Sequence, residues 1–471
     1  MEDGSFMKSK KHTRFENKKI LVLGLALSGF HAAKLLLELG AYVTVNDVKE
    51  LDENPDAQEL ITLGARVITG QHPLEILNES FSYMVKNPGI PYSNPMVVKA
   101  LEIGIPILTD VEIAAEILES NLICVTGTNG KTTTTTMITT ILNQDRILGK
   151  AYKAGNIGIP ATVIAEEASE DDDVVMELSS FQLMGIDQLH PHIAILTNIS
   201  EAHLDYHGTR EEYVKAKWRI TENQTASDYL ILNWDQEELQ TLSKQTNAQI
   251  IPFSRILTLD KGVYIKNDSI YYNEERVMPL SSLRVPGSHN VENALAAIAV
   301  AKLKNISNQT IEKAFLSFHG VKHRIQYVDE IKGRVFYNDS KATNILAAQT
   351  ALDSFPNRKI ILLAGGLDRG NSFDELIPSL KNVKAMIVFG ETAEKLAQTA
   401  KEADIGDVKI TKDVQSAVIE GYARSEKEDV ILLSPACASW DQYQNFEVRG
   451  DQFIEAVQDL KEKKDEVNES L

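Results

Sequence analysis

Along its whole length the chain alternates short apolar runs, each closed by a polar or glycine residue, with stretches of helical period. The runs KKILVLGL, NLICVTGT, VVMELSS, IAILTNIS, KIILLAGG, AMIVFG and DVILLSPA are too short for buried helices. They also lack the apolar–polar alternation of a strand with one wet face. Unbroken apolar strands need both faces covered, which parallel sheets sandwiched between helices provide. Intervening stretches such as GFHAAKLLLELG supply the covers and the crossovers. The pattern predicts an α/β fold with mainly parallel sheets. Ligands of such sheets bind beyond the carboxyl ends of the strands, so the residues that close each run are the candidate site.

A chain of 471 residues exceeds one ordinary core. Three blocks of the alternation are visible, opening at KKILVLGL, at NLICVTGT and near Val321. We place boundaries near residues 113 and 320. This predicts a Rossmann-like N-terminal domain (1–113, with 1–16 a mobile arm), a central P-loop mononucleotide-binding domain (114–320) and a Rossmann-like C-terminal domain (321–471). The formal net charge of −19 argues against a duplex nucleic-acid partner, which would call for clustered Lys and Arg. Cys124 and Cys437 stand far apart in apolar stretches and read as small buried residues of a reducing compartment. No run is long enough to span a membrane, and the polar start lacks the apolar middle of a signal peptide. The expectation is a cytoplasmic monomer.

The sharpest chemical motif is ICVTGTNGKTTTTTMITTIL, a strand running through a glycine loop into a helix. Gly127 and Gly130 let backbone N–H groups turn toward phosphate oxygens, and Lys131 adds a point charge at the helix N-terminus. Thr132 stands where a P-loop hydroxyl binds Mg²⁺, and Thr128, Asn129 and Thr133 complete the cradle. Val125 replaces the first glycine of the general P-loop. The plainer alternative is a Gly/Thr-rich turn capping a helix. A metal bound to triphosphate needs a second anionic anchor. Glu177 closes the run VVM and is placed for it, and His203 and Asp205 follow the strand IAIL in EAHLDYHG. In the first block, GLALSG with Asp47 at the next strand end reads in isolation as a dinucleotide fingerprint, although Ala26 takes the middle glycine position.

Taken together, TGTNGKTT, GNIG at 155–158, MELSSFQL at 176–183, TNISEAHLDYHG at 197–208 and YVKAKWRI at 213–220 resemble the Mur ligases. GSHNVENALAA at 287–297, His323-Arg324 and NDSKATN at 338–344 extend the resemblance over nearly the whole chain. These enzymes add amino acids to the peptidoglycan precursor. The resemblance implies ATP-dependent amide formation: a carboxylate is phosphorylated to an acyl phosphate, which an incoming amine attacks. It assigns ATP to residues 127–133, Asn290, Asn293, Arg324 and Asp339. Two Mg²⁺ sites fall to Thr132, Glu177, His203 and Lys217, the lysine being carbamylated, and Lys131, His203 and Lys217 carry catalysis. From the residues alone Lys217 is an exposed helix lysine, and Asn290 reads equally as a helix cap.

Within the family the D-glutamate-adding branch fits best. Leu27, Ser28, Asp47, Asn87, Gly89 and Asn156 would then bind the UDP-linked substrate, UDP-N-acetylmuramoyl-L-alanine. Lys341, Thr343, Ser439 and Phe446 would bind D-glutamate. Arg369, with Asp368 in GGLDRGNSF, stands only loosely where the family has a lysine. The Asp-Asn-Pro-Arg motif of the diaminopimelate-adding branch is absent. Another Mur-type ligase or a folylpolyglutamate-synthase-like ligase remains the alternative. A GTPase lacks its Asn-Lys-x-Asp motif here, and a nicotinamide dehydrogenase leaves the lysine-bearing loop unexplained.

Overall fold

The computed structural model describes residues 13–200 and 204–469. They form two compact units, one of Met1–Pro279 with Glu292–Ile311, the other of Leu280–Val291 with Glu312–Leu471. The first unit holds two sheets. Its five-stranded sheet is wholly parallel, in the order Arg66–Ile68, Tyr42–Asn46, Lys19–Leu23, Tyr83–Lys86, Ile107–Leu108. Chain order reverses between the third and fourth strands, which opens a crevice beyond their carboxyl ends.

The nine-stranded sheet has a parallel body in the order Gln249–Ser254, Tyr229–Asn233, Ile193–Leu196, Asn121–Thr126, Asp173–Glu177, Ala151–Gly155. Every residue from Leu122 to Thr126 is buried, as are all of Asp173–Glu177 and Ile193–Leu196. Burial on both faces is the physical reason these runs are apolar without alternation. Cys124 sits in this core, and it and Cys437 are free and buried, as expected from their apolar settings.

The second unit has a six-stranded sheet in the order Gln326–Ile331, Arg334–Asn338, Val430–Leu433, Ile360–Gly365, Val383–Phe389, Asp407–Ile410. Only its first pairing is antiparallel.

The hairpin strands at the sheet edges are what the apolar-run reading passed over. Val263–Lys266 joins Gln249–Ser254 in parallel and is followed antiparallel by Ser269–Tyr272 and Glu275–Pro279, and Gln326–Ile331 extends the other sheet antiparallel. Their turns place Asn267 (φ 47°) and Asp268 (φ 53°), and Lys332 (φ 49°) and Gly333 (φ 80°), in consecutive left-handed conformations. Two such residues in succession make the tight hairpin turn that matches strand twist. These ribbons are partly exposed, so their side chains carry no continuous apolar signal. No helix among the described residues is long and apolar enough to cross a membrane.

Candidate active site

The phosphate loop leaves the strand Asn121–Thr126 where that strand lies between Ile193–Leu196 and Asp173–Glu177. It enters the helix Lys131–Asn143, whose N-cap is Gly130 at φ 82°. Both loop glycines are required by close approach. A Cβ on Gly127 (φ 146°) would lie 2.0 Å from Thr197 Oγ1, and one on Gly130 would lie 2.2 Å from Asn293 Oδ1. The loop is held from the next strand end: Thr128 N–H donates to the Asn198 carbonyl (2.9 Å) and Asn129 N–H to Asn198 Oδ1 (2.9 Å). Thr197 Oγ1 donates to the Asn129 carbonyl at 2.7 Å. Lys131 Nζ bends over the loop to the carbonyls of Gly127 (3.0 Å) and Thr128 (2.9 Å). Thr132 and Thr133 occupy the first turn, where unpaired helix N–H groups and the helix dipole favour an anion.

Thr132 Oγ1 donates to Glu177 Oε2 at 2.8 Å, so the hydroxyl and the carboxylate expected to share a metal are already together. Asn156 Nδ2 reaches Glu177 Oε1 at 3.3 Å, which puts this UDP-substrate candidate beside the metal candidate. Lys217 overturns its bland reading as a surface lysine: it is 2% exposed, and its Nζ donates to the Gly127 carbonyl at 2.7 Å. The helix Arg210–Trp218 turns that face inward. Burial, reinforced by Lys131 and opposed by Glu177, pushes the Lys217 ammonium down to about 6. A neutral amine is the form that can react with CO₂. Hard oxygen donors suit Mg²⁺, and Thr132 with Glu177 supply two of them. His203 lies outside the described residues, as does the side chain of Asp205. Among the described residues no cluster of three or more His, Cys, Asp and Glu is placed to hold a metal. The fit for Mg²⁺ therefore rests on the hydroxyl–carboxylate pair and on the chemistry open to Lys217.

Sequence reading missed Tyr213 and Asn198. Tyr213 is buried, its hydroxyl lies 3.0 Å from Thr128 Oγ1, and its ring underlies Lys217 Nζ at 4.7 Å. Its place one helical turn before Lys217 was the available signal. Asn293 accepts from Thr134 Oγ1 at 3.2 Å, against the phosphate-loop helix. Asn290 Nδ2 donates to the Pro286 carbonyl at 2.6 Å, within the first turn of Ser288–Leu303.

At the crevice of the five-stranded sheet, Asp47 Oδ2 accepts from Leu25 N–H (2.7 Å) and Oδ1 from Lys49 N–H (2.8 Å), so this acid shapes the loop after the first strand. Leu27, the first residue of the helix that follows that loop, is 54% exposed, and burial pushes the carboxyl of nearby Asp110 up to about 6, with Gln182 and Ser28 opposing. Gly29 permits close approach, since a Cβ there would lie 1.9 Å from the Gly24 carbonyl oxygen. Asn87 Oδ1 accepts from Gly89 N–H at 3.1 Å, closing the facing loop. Lys86, which sequence reading passed over, is fully buried beneath that loop, with Nζ 2.8 Å from the Ile90 carbonyl.

In the second unit, Asp339 follows the strand Arg334–Asn338 and accepts from Ser434 Oγ (3.0 Å) and Ile325 N–H (3.2 Å). Burial pushes its carboxyl up to about 7, against those hydrogen bonds and the nearby Arg324. Lys341 Nζ lies 3.9 Å over the Phe446 ring; burial and then Arg324 lower its ammonium, with Glu447 opposing. Arg324, Asp339, Lys341 and Phe446 thus form one neighbourhood. Ser439 is buried in the loop after Val430–Leu433. Thr343 lines a cleft of about 540 Å³ with Asn344, Leu367, Arg369, Cys437 and Ala438. Arg369 stacks on Trp440 at 5.1 Å, and Asp368 pairs with Lys395 at 2.6 Å.

Three family models match in succession: "Mur ligase MurD-like, N-terminal domain" over residues 18–109, "Mur ligase middle domain" over 125–301 and "Mur ligase, glutamate ligase domain" over 323–437. The UDP-N-acetylmuramoylalanine–D-glutamate ligase of Enterococcus faecalis is 61% identical over 96% of this chain and 99% of its own length. Its namesake from Enterococcus hirae is 60% identical over 96% and 98%, and that from Lactiplantibacillus plantarum 57% over 97% and 100%. Among solved structures, the UDP-N-acetylmuramate-alanine ligase of Thermotoga maritima superposes with a TM-score of 0.55 at 20% identity, covering 94% of this chain and 100% of that one. The MurF ligase of Thermotoga maritima, solved with ADP, has a TM-score of 0.55 at 16% identity and 96% coverage of both chains. The two structures speak for the fold, and the family models and near-full-length relatives for the lineage: this chain belongs to the Mur ligase family and is a ligase.

Proposed function

We propose that this ligase uses ATP to join D-glutamate to UDP-N-acetylmuramoyl-L-alanine in peptidoglycan precursor synthesis. The observation that carries the reading is the buried Lys217 amine against the Gly127 carbonyl, next to the Thr132–Glu177 pair. A nucleotide switch or a dehydrogenase has no use for a buried lysine facing its phosphate loop. The γ-phosphoryl group of ATP passes to the substrate carboxylate, giving ADP and an acyl phosphate. The D-glutamate amine then attacks the carbonyl, and phosphate leaves from the tetrahedral intermediate as the amide forms.

In this scheme residues 127–130 and the helix N-terminus hold phosphate oxygens, and Lys131 places a positive charge where negative charge moves. Mg²⁺, when bound, would offset charge on the transferring oxygens. Thr132, Glu177 and a carbamylated Lys217 would hold it together with His203, over two sites. Lys217 as an ammonium would repel the cation; a carbamate reverses the charge. Asn290, Asn293, Arg324 and Asp339 serve the nucleotide. Leu27, Ser28, Asp47, Asn87, Gly89 and Asn156 bind the UDP-linked substrate, and Lys341, Thr343, Ser439 and Phe446 bind D-glutamate. Domain boundaries near 113 and 320 belong to the same proposal, as do a cytoplasmic location, a monomeric state and the lack of a nucleic-acid partner.

The test is ADP release with UDP-N-acetylmuramoyl-L-alanine and a panel of amino acids. The expected result is turnover with D-glutamate. Turnover with L-lysine or diaminopimelate but not D-glutamate would overturn the specificity.

A further inference from the structure

Arg449 is among the largest fully buried side chains of the chain, at 0% exposure. It lies in the first turn of the helix Phe446–Glu469, where the helix dipole disfavours a cation. Every oxygen it donates to is neutral. Nε reaches Ser340 Oγ (3.1 Å); one terminal nitrogen reaches the carbonyls of Gly365 (3.2 Å) and Ala438 (3.5 Å); the other reaches those of Ser340 (3.0 Å) and Cys437 (3.1 Å). Burial lowers its guanidinium to about 10. A buried cation at a helix start without a carboxylate ligand is a placement that stability alone disfavours.

Its contacts explain what it does. The anchored carbonyls come from three neighbouring strands of the six-stranded sheet: Ser340 from the loop after Arg334–Asn338, Cys437 and Ala438 from the loop after Val430–Leu433, and Gly365 from the end of Ile360–Gly365. Ser340 adjoins Lys341, and Ala438 adjoins Ser439. Ser340 Oγ passes the contact on by donating to the Phe446 carbonyl at 2.8 Å. Gly366 makes room for this hub, because a Cβ there would lie 2.2 Å from the Ala438 carbonyl and 3.1 Å from a terminal nitrogen of Arg449. A planar fork with donors in fixed directions can set two loops and a strand end relative to one another, which a lysine's single ammonium cannot.

We infer that Arg449 is a positioning residue for the incoming amino acid, setting Lys341, Ser439 and Phe446 in register through the backbone of their loops. The inference rests on the reading of those residues as the amino-acid site. The experiment compares full-length wild type with Arg449→Lys and with Ser340→Ala, which removes the Nε contact and its relay to the Phe446 carbonyl but keeps the four carbonyl contacts of Arg449. Steady-state KM is measured separately for amino acid, UDP-linked substrate and ATP, with thermal melting alongside. In both variants KM for D-glutamate should rise, by about tenfold or more in Arg449→Lys and less in Ser340→Ala. The other two KM values should stay within about twofold, and acyl phosphate should still form without amino acid. Equal rises in all three KM values, or an unchanged amino-acid KM, would overturn the inference. If Arg449→Lys does not fold, Ser340→Ala decides it by the same criterion. If wild type accepts an amino acid other than D-glutamate, the specificity reading fails, and the KM for that amino acid tests Arg449 independently.

Discussion

Gly130→Ala tests the geometry of the phosphate loop most directly. Gly130 sits at φ 82°, where an alanine costs about 1–2 kcal/mol. The added Cβ would stand 2.2 Å from Asn293 Oδ1, whereas ordinary contact begins at 3.4 Å, so the carboxamide must withdraw by about 1 Å. Withdrawal breaks the 3.2 Å bond from the buried Thr134 hydroxyl, a loss of about 1 kcal/mol. Together the changes amount to about 2–3 kcal/mol against the present loop conformation. If the loop shifts to relieve them, ADP affinity falls by about 30- to 150-fold. Gly104→Ala is the control: φ is 79° there, but a Cβ would meet nothing within 4 Å, so only the backbone cost applies, far from the loop. Calorimetric titration with ADP, with thermal melting of both variants, makes the comparison. Gly130→Ala binding ADP within about threefold of wild type, and melting no lower than Gly104→Ala, would refute the close-approach argument.

Lys217→Ala should lower turnover by about 100-fold or more, with partial recovery on adding a short carboxylate such as acetate; wild-type-like turnover would rule out a carbamate role. Glu177→Gln keeps the shape of the group but removes its charge beside Thr132, and should raise the Mg²⁺ needed for half-maximal ATP turnover by about tenfold. Asp228 provides a pH test away from the site. Burial raises its carboxyl, but hydrogen bonds from His190 (2.7 Å), His192 (3.0 Å) and Thr225 prevail and hold it below the usual range. A depressed carboxyl stabilises the fold above its unfolded value, about 3.9, and that gain fades as pH falls through the lower folded value. Asp228→Asn should therefore melt below wild type at pH 6–7, the gap narrowing below about pH 4. A constant gap would show that charge is not the cause.

The chain by itself determined what depends on neighbours in sequence. Doubly buried strands announce themselves as unbroken apolar runs. A glycine pair before Lys131 marks a phosphate turn because only glycine tolerates the approach of Thr197 and Asn293. The order of the motifs carried the family resemblance that the relatives bear out. The partly exposed antiparallel ribbons were invisible, because their signal lay in paired turn residues such as Asn267 and Asp268 rather than in apolar length.

Tertiary structure decided the rest. Lys217 reads as a solvent lysine until its helix packs onto the phosphate loop and strips it of water, which is what gives its amine a chemistry. Asn156 and Glu177 meet because the strands that precede them pair side by side. Arg449 looks like one more charge on an amphipathic helix, yet its acceptors come from loops up to 109 residues away in sequence. Local conformation is written in local sequence; burial and partnership belong to contacts that exist only once distant segments have packed.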